Sequence, residues 1–190
     1  MKLSPLFTAL TCLALVQAPL PAQQTQSTPN SVVTIPPEDP DPINQTDTDF
    51  IKTASQGLRF EVLAGTLALS HGAHSAVQEF GRWMKRDHSA DFTALVALAK
   101  EEAVQLPAGL SQEQTTELQK LQRLWNEAFD REYIGFEIGD HQMDIHDYTE
   151  EVRNGEDFDV QRYAAKGITE ILEHLAMAQE IGAMLHVSNH

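Results

Sequence analysis

Residues 75–99, SAVQEFGRWMKRDHSADFTALVALA, decide the fold. Val77, Phe80, Met84, His88, Phe92, Leu95 and Ala99 recur at steps of three and four, which places them along one stripe of a helix. Most positions between them are polar or charged, so the segment reads as an amphipathic helix with one buried face. Its stripe has a single titratable member, His88.

Three further segments repeat the pattern. Ile51, Ala54, Leu58, Glu61, Gly65 and Ala68 form one stripe; Ile134, Ile138, His141, Ile145, Tyr148 and Val152 form another. Gly167, Ile171, His174, Ala178, Ile181 and Leu185 form the last. Punctuation sets the limits. Thr46 to Thr48 offer caps for the first helix, and His71-Gly72 ends it; Ser75 opens the second, and Pro107 and Gly109 close it. Ser111 with Gln114 reads as a capping box opening a shorter polar helix to about Leu124. Asn126 or Glu127 restarts a long helix to Arg153, ended by Asn154-Gly155. Asp157 or Asp159 opens the final helix, which runs to about His186.

With these limits the four interruptions, Glu61, His88, His141 and His174, all fall near mid-helix, within about 3 Å of axial rise of one level. If short connections fold consecutive long helices antiparallel, the four residues converge on one central layer. A buried polar group without a partner costs about 1–3 kcal/mol, against a total stability of about 5–15 kcal/mol. The layer must therefore satisfy itself or hold something.

Three imidazoles and one carboxylate suit Zn²⁺, Fe²⁺, Mn²⁺ or Cu²⁺. Asp87 and Asp140 directly precede His88 and His141, while Glu137 and Glu170 lie one turn before His141 and His174. All four are candidate outer partners or additional ligands. The competing reading is a closed polar network without metal. His71, His74, His186 and His190 read as surface residues, His146 lies beside its stripe, and Trp83, Trp125, Phe129, Phe136 and Tyr163 read as packing residues. No nucleophile elbow, phosphate loop or dinucleotide fingerprint occurs.

Met1-Lys2, the apolar run Leu6 to Val16 and the small residues Ala18 and Ala22 fit a cleavable secretory signal over residues 1–22, and so a periplasmic or secreted protein. The only cysteine, Cys12, lies inside that run, so a mature chain would have neither disulfides nor thiolate ligands. Residues 23–46, rich in proline and polar groups, read as a disordered leader, and 47–188 as the helical domain. Beyond the signal no apolar run reaches membrane-spanning length. The formal charge of −15, with scattered basic residues, disfavours nucleic acid as a partner.

Glu61 with Leu67-Ala68, Met84 through Asp87-His88, Phe129-Asp130 through Tyr133, Asp140-His141, and His174-Leu175-Ala176-Met177-Ala178 carry a resemblance. Over about residues 48 to 182 the chain resembles the bacterial domain-of-unknown-function family 4142, labelled a predicted outer-membrane protein and grouped with ferritin-like bundles. The resemblance implies an all-α, ferritin-like antiparallel four-helix bundle with a short extra helix between the second and third long ones. The Glu-x-x-His pattern of di-iron bundles is absent, because Lys85, Ile138 and Ile171 stand three residues before the histidines. The expected function is metal binding by an exported bundle. The alternatives are a metal-dependent oxidoreductase acting on oxygen species and a metal-free envelope or stress-related interaction module.

Overall fold

The computed structural model describes residues 43–187; the signal and all but the last few residues of the leader lie outside them. Five helices follow in order: α1 (Gln45–His71), α2 (Ser75–Glu101), α3 (Gln112–Leu121), α4 (Asn126–Asn154) and α5 (Phe158–Leu185). The architecture is all-α, with four long helices in antiparallel pairs and the short α3 between α2 and α4. Among the described residues no helix is long and apolar enough to cross a membrane.

Two caps differ from expectation. Asn44, not a threonine, caps α1: its side chain accepts from Asp47 N at 2.8 Å while the Asp47 carboxylate accepts from Asn44 N at 3.2 Å. The threonines lie too late in the chain to face the free amides of the first turn. His74 caps α2 in place of Ser75, its Nδ1 accepting from Ala76 N. Ser111 and Gln114 form the expected box on α3, and Asp157 caps α5.

Two buried aspartates set the topology. Asp47, at the start of α1, accepts the amides of Glu156 and Asp157 in the α4–α5 turn at 3.1–3.4 Å. Asp130, near the start of α4, accepts those of Ala73 and His74 in the α1–α2 turn, the closest at 2.9 Å. Each turn is thus held by the first helix of the other hairpin, so α1 and α4 run antiparallel. It follows that α2 and α4 run the same way, although consecutive long helices were expected to alternate. Residues 102–125 must return along the bundle between them, and α3, packed on α1 and α4, is part of that crossover.

The core has two apolar halves. Phe60, Phe80, Met84, Phe129, Tyr133 and Ile134 centre one; Ile51, Leu58, Leu95, Tyr148, Val160 and Ile171 centre the other. Between them lie Glu61, His88, Glu137, His141 and His174, all buried. At the edges the sequence reading needs correction. Trp125 is 55% exposed, and His71, read as a surface residue, is half-buried against it with ring centroids 3.8 Å apart. The His71 Nδ1–H donates to the Leu124 carbonyl at 2.7 Å, tying α1 to the crossover. Trp83 is also partly exposed.

Asp130→Ala should expose how much the turn clamps contribute. It removes the carboxylate that accepts two turn amides, and a hydrogen bond to a charged group contributes about 1.5–3 kcal/mol. Urea melts should show a loss of about 2–4 kcal/mol; a loss below about 0.5 kcal/mol, the range of ordinary surface changes, would refute the clamp.

Candidate metal centre

Each long helix delivers its polar residue to the same level. The centroids of His88 and His174 lie 5.1 Å apart, those of His141 and His174 5.7 Å, and those of His88 and His141 6.0 Å. One ligand atom from each of the three lies within 4.8 Å of the others. Glu61, Glu137 and His141 form a second group on the same criterion, sharing His141 with the first. The two groups, linked through His141, between them contain all four residues singled out in the stripes, with Glu137 added from α4.

Hydrogen bonds decide which nitrogens are free. His141 Nδ1–H donates to the Glu137 carbonyl at 2.9 Å, one turn back on α4, because a carbonyl can only accept. Its Nε2 lone pair is left without a partner. His174 uses the opposite nitrogen: Nε2–H donates to Asp87 at 3.2 Å, leaving Nδ1 free. Arg86 grips the same carboxylate at 2.6 and 2.8 Å and, as the main cause, holds Asp87 below the usual carboxylate range. Both nitrogens of His88 and both carboxylate oxygens of Glu61 and of Glu137 lack hydrogen-bond partners, although Glu137 Oε2 lies 3.5 Å from His141 Nδ1. Fixing one imidazole nitrogen by a carbonyl or carboxylate, so that the other is left to ligate, is how metal-ligating histidines are oriented.

Electrostatics keep the imidazoles neutral. Burial, followed by the proximity of His141 and His174, pushes His88 well below its usual value. Burial likewise lowers His141 to about 3 and also lowers His174, against the opposing pull of Asp87. The carboxyls move the other way. Burial, then the charges of Glu137 and Asp140, raise Glu61 well above the carboxylate range, and burial raises Glu137. Neutral imidazoles are the form that ligates a cation, and a cation would relieve two carboxyls that cannot both ionise in isolation. Zn–N bonds of about 2.0–2.1 Å imply donors about 3.3 Å apart in a tetrahedron, so the donors need close by no more than about 1.5 Å. That movement lies within the reach of side-chain rotation. The donor set fits a transition ion, with nitrogen and oxygen ligands and no sulfur in any of these groups.

The other predicted partners divide. Asp87 contacts His174, whereas Asp140 approaches Glu61 rather than His141. Glu170 groups with Asp87 and His174 and, separately, with His88 and Asp91. Neither Asp91 nor Tyr133 was singled out in the sequence as a site residue. Tyr133 lies on α4 one turn before Glu137, and its phenol is buried without a partner. Asp91 lies one turn beyond His88, a spacing that could have flagged it.

A third cluster lies away from the centre. Glu151, beside Asp47, is pushed up to about 8 by burial and then by Asp47, whose oxygens already accept the turn amides. A carboxyl raised in the folded state contributes stability fully present below its unfolded value near 4.5 and lost as pH rises through about 8. Glu151→Gln should flatten that fall between about pH 5 and 9 in thermal melts. An unchanged slope would show that Glu151 ionises freely.

The comparisons agree with this architecture. The pattern of the family described as a domain of unknown function, DUF4142, matches residues 33–181. The chain belongs to that family. A DUF305 protein of Streptomyces coelicolor, described as a putative secreted protein, superposes with a TM-score of 0.66 at 11% identity, covering 76% of this chain and 95% of its own. A DUF305 fragment from Deinococcus radiodurans gives 0.66 at 14%, covering 75% and 99%. CopM in its Cu(II)-bound form gives 0.61 at 20%, covering 70% and 93%. At these identities the likeness is one of fold. No curated protein matches the chain.

Proposed function

We propose that this DUF4142 protein binds one divalent transition-metal ion in the bundle core. His88, His141 and His174 would supply nitrogen, and Glu61, joined by Glu137, would supply oxygen. The observation that carries the reading is the convergence of three buried imidazoles, each with an unpartnered nitrogen and with ligand atoms within 4.8 Å of one another. Such a set binds divalent ions in the order that peaks at Cu²⁺, and the structural neighbour CopM occurs in Cu(I)- and Cu(II)-bound forms. Copper is accordingly the first ion to test, ahead of Zn²⁺, Fe²⁺ and Mn²⁺. Export is part of the proposal, supported by the signal-like residues 1–22 and by a structural neighbour described as secreted.

The bundle's own residues set what the site does. Asp87 and the Glu137 carbonyl orient two imidazoles, and an apolar cluster flanks the layer on each side. A bound ion there would be held by geometry rather than by net surface charge. Elemental analysis and calorimetry on the purified, untagged mature domain test the proposal. One equivalent of Cu²⁺ or another transition ion is expected; failure to take up any of the four ions would leave the closed polar network as the function of the layer.

A further inference from the structure

A cavity of about 40 Å³ lies against Glu61 and His88 and extends between α2 and α5, where Asp91, Lys166 and Glu170 border it. That is room for water or a partly hydrated ion. His88 belongs to two groups at once: with His141 and His174 in the layer, and with Asp91 and Glu170 at the border, each with ligand atoms within 4.8 Å. It is 4% exposed, and neither ring nitrogen has a partner. Asp91 and Glu170 are only half-buried. The Tyr163 hydroxyl donates to the Asp91 carbonyl at 3.2 Å, holding α5 to α2 beside them.

We propose that Asp91 and Glu170, sharing His88 with the inner layer, form an outer station that captures a divalent transition-metal ion and passes it inward. The proposal rests on the metal-binding reading above and adds the route to it. A bare dication cannot cross apolar packing, because losing its hydration uncompensated costs tens of kcal/mol. Half-exposed carboxylates can hold the ion while it keeps part of its water. His88 then offers the next ligand, so the shell is exchanged one donor at a time rather than stripped. Negative charge at the mouth of a low-dielectric cleft also concentrates cations and raises their rate of arrival. Lys166 borders the same cavity on an exposed side chain.

The test uses Co²⁺ alone, followed by its visible absorption in stopped flow, on the mature protein and on the double variant Asp91→Asn with Glu170→Gln. Loading of the variant should be slowed about tenfold or more, within the range of electrostatic focusing, with the same final stoichiometry and the same helical signal. Rising salt should slow the wild type more than the variant. Equal loading rates would overturn the station while leaving the inner site standing. Loss of tight binding in the variant would also overturn it, by placing these carboxylates in the inner site itself. No uptake by the wild type would overturn this proposal together with the metal-binding reading.

Discussion

His141→Ala will abolish the rise in melting temperature that Cu²⁺ or Zn²⁺ gives the wild type, while the far-ultraviolet helical signal persists. At a ligand concentration about a thousandfold above Kd, binding to the native state contributes about 4 kcal/mol. For a domain of this size each kcal/mol shifts Tm by about 2–4 °C, so a rise of about 10 °C is expected. His141 belongs to both ligand groups, the imidazoles and the Glu61–Glu137 pair, so its loss affects both at once. The metal-free fold should tolerate it better. The substitution removes a buried nitrogen that has no partner, which offsets part of the cavity it leaves. Asp87→Asn gives a graded comparison: it removes the charge that orients His174 and should weaken binding about 10–100-fold without abolishing it. A variant lacking His141 that still gains about 10 °C with metal would remove the centre from the proposed position.

How much of this was legible in the sequence follows from which interactions are local. The stripe around His88 and its three counterparts are properties of single helices, so their level could be read from spacing and end signals. The direction of α4 could not, because it depends on contacts between Asp130 and the α1–α2 turn, far apart in the chain. A signal was nevertheless present. Asp130, Tyr133, Ile134 and Gly155 repeat the spacing of Asp47, Phe50, Ile51 and Gly72, which marks two hairpins built alike. Both aspartates lie in the opening turns of their helices, and only the paired turns reveal why they are buried. Glu137 was visible as an outer partner of His141. Its place beside Glu61 depends on how α1 meets α4, which no single-helix pattern contains. His71 failed for a related reason, since its partners come from the crossover.

Gly81→Val will destabilise the bundle strongly and weaken the metal site two turns away. A Cβ at Gly81 would fall 2.5 Å from the Ala68 Cβ and 2.8 Å from the Gly65 carbonyl oxygen. At Gly65, the reciprocal position, it would fall 2.7 Å from the Gly81 carbonyl oxygen and 3.1 Å from the Lys85 amide. Most of these neighbours are backbone, so no side chain can swing aside and the two helices must part. Overpacking of this kind costs about 1–3 kcal/mol and occasionally more; a branched side chain belongs at the upper end. Glu61 lies one turn before Gly65 and His88 two turns after Gly81, so parting α1 from α2 pulls the carboxylate away from the imidazole. Metal affinity should fall about tenfold or more, as for other losses of support around a ligand shell. Gly139→Ala supplies the contrast: the position is exposed, a Cβ there meets nothing within 4 Å, and alanine should stabilise α4 by about 0.4–1 kcal/mol. Chemical denaturation and metal titration of both variants separate the readings. If Gly81→Val melts like the wild type, the close crossing does not hold the helices together; if it is destabilised yet binds metal with unchanged affinity, the crossing does not set the site.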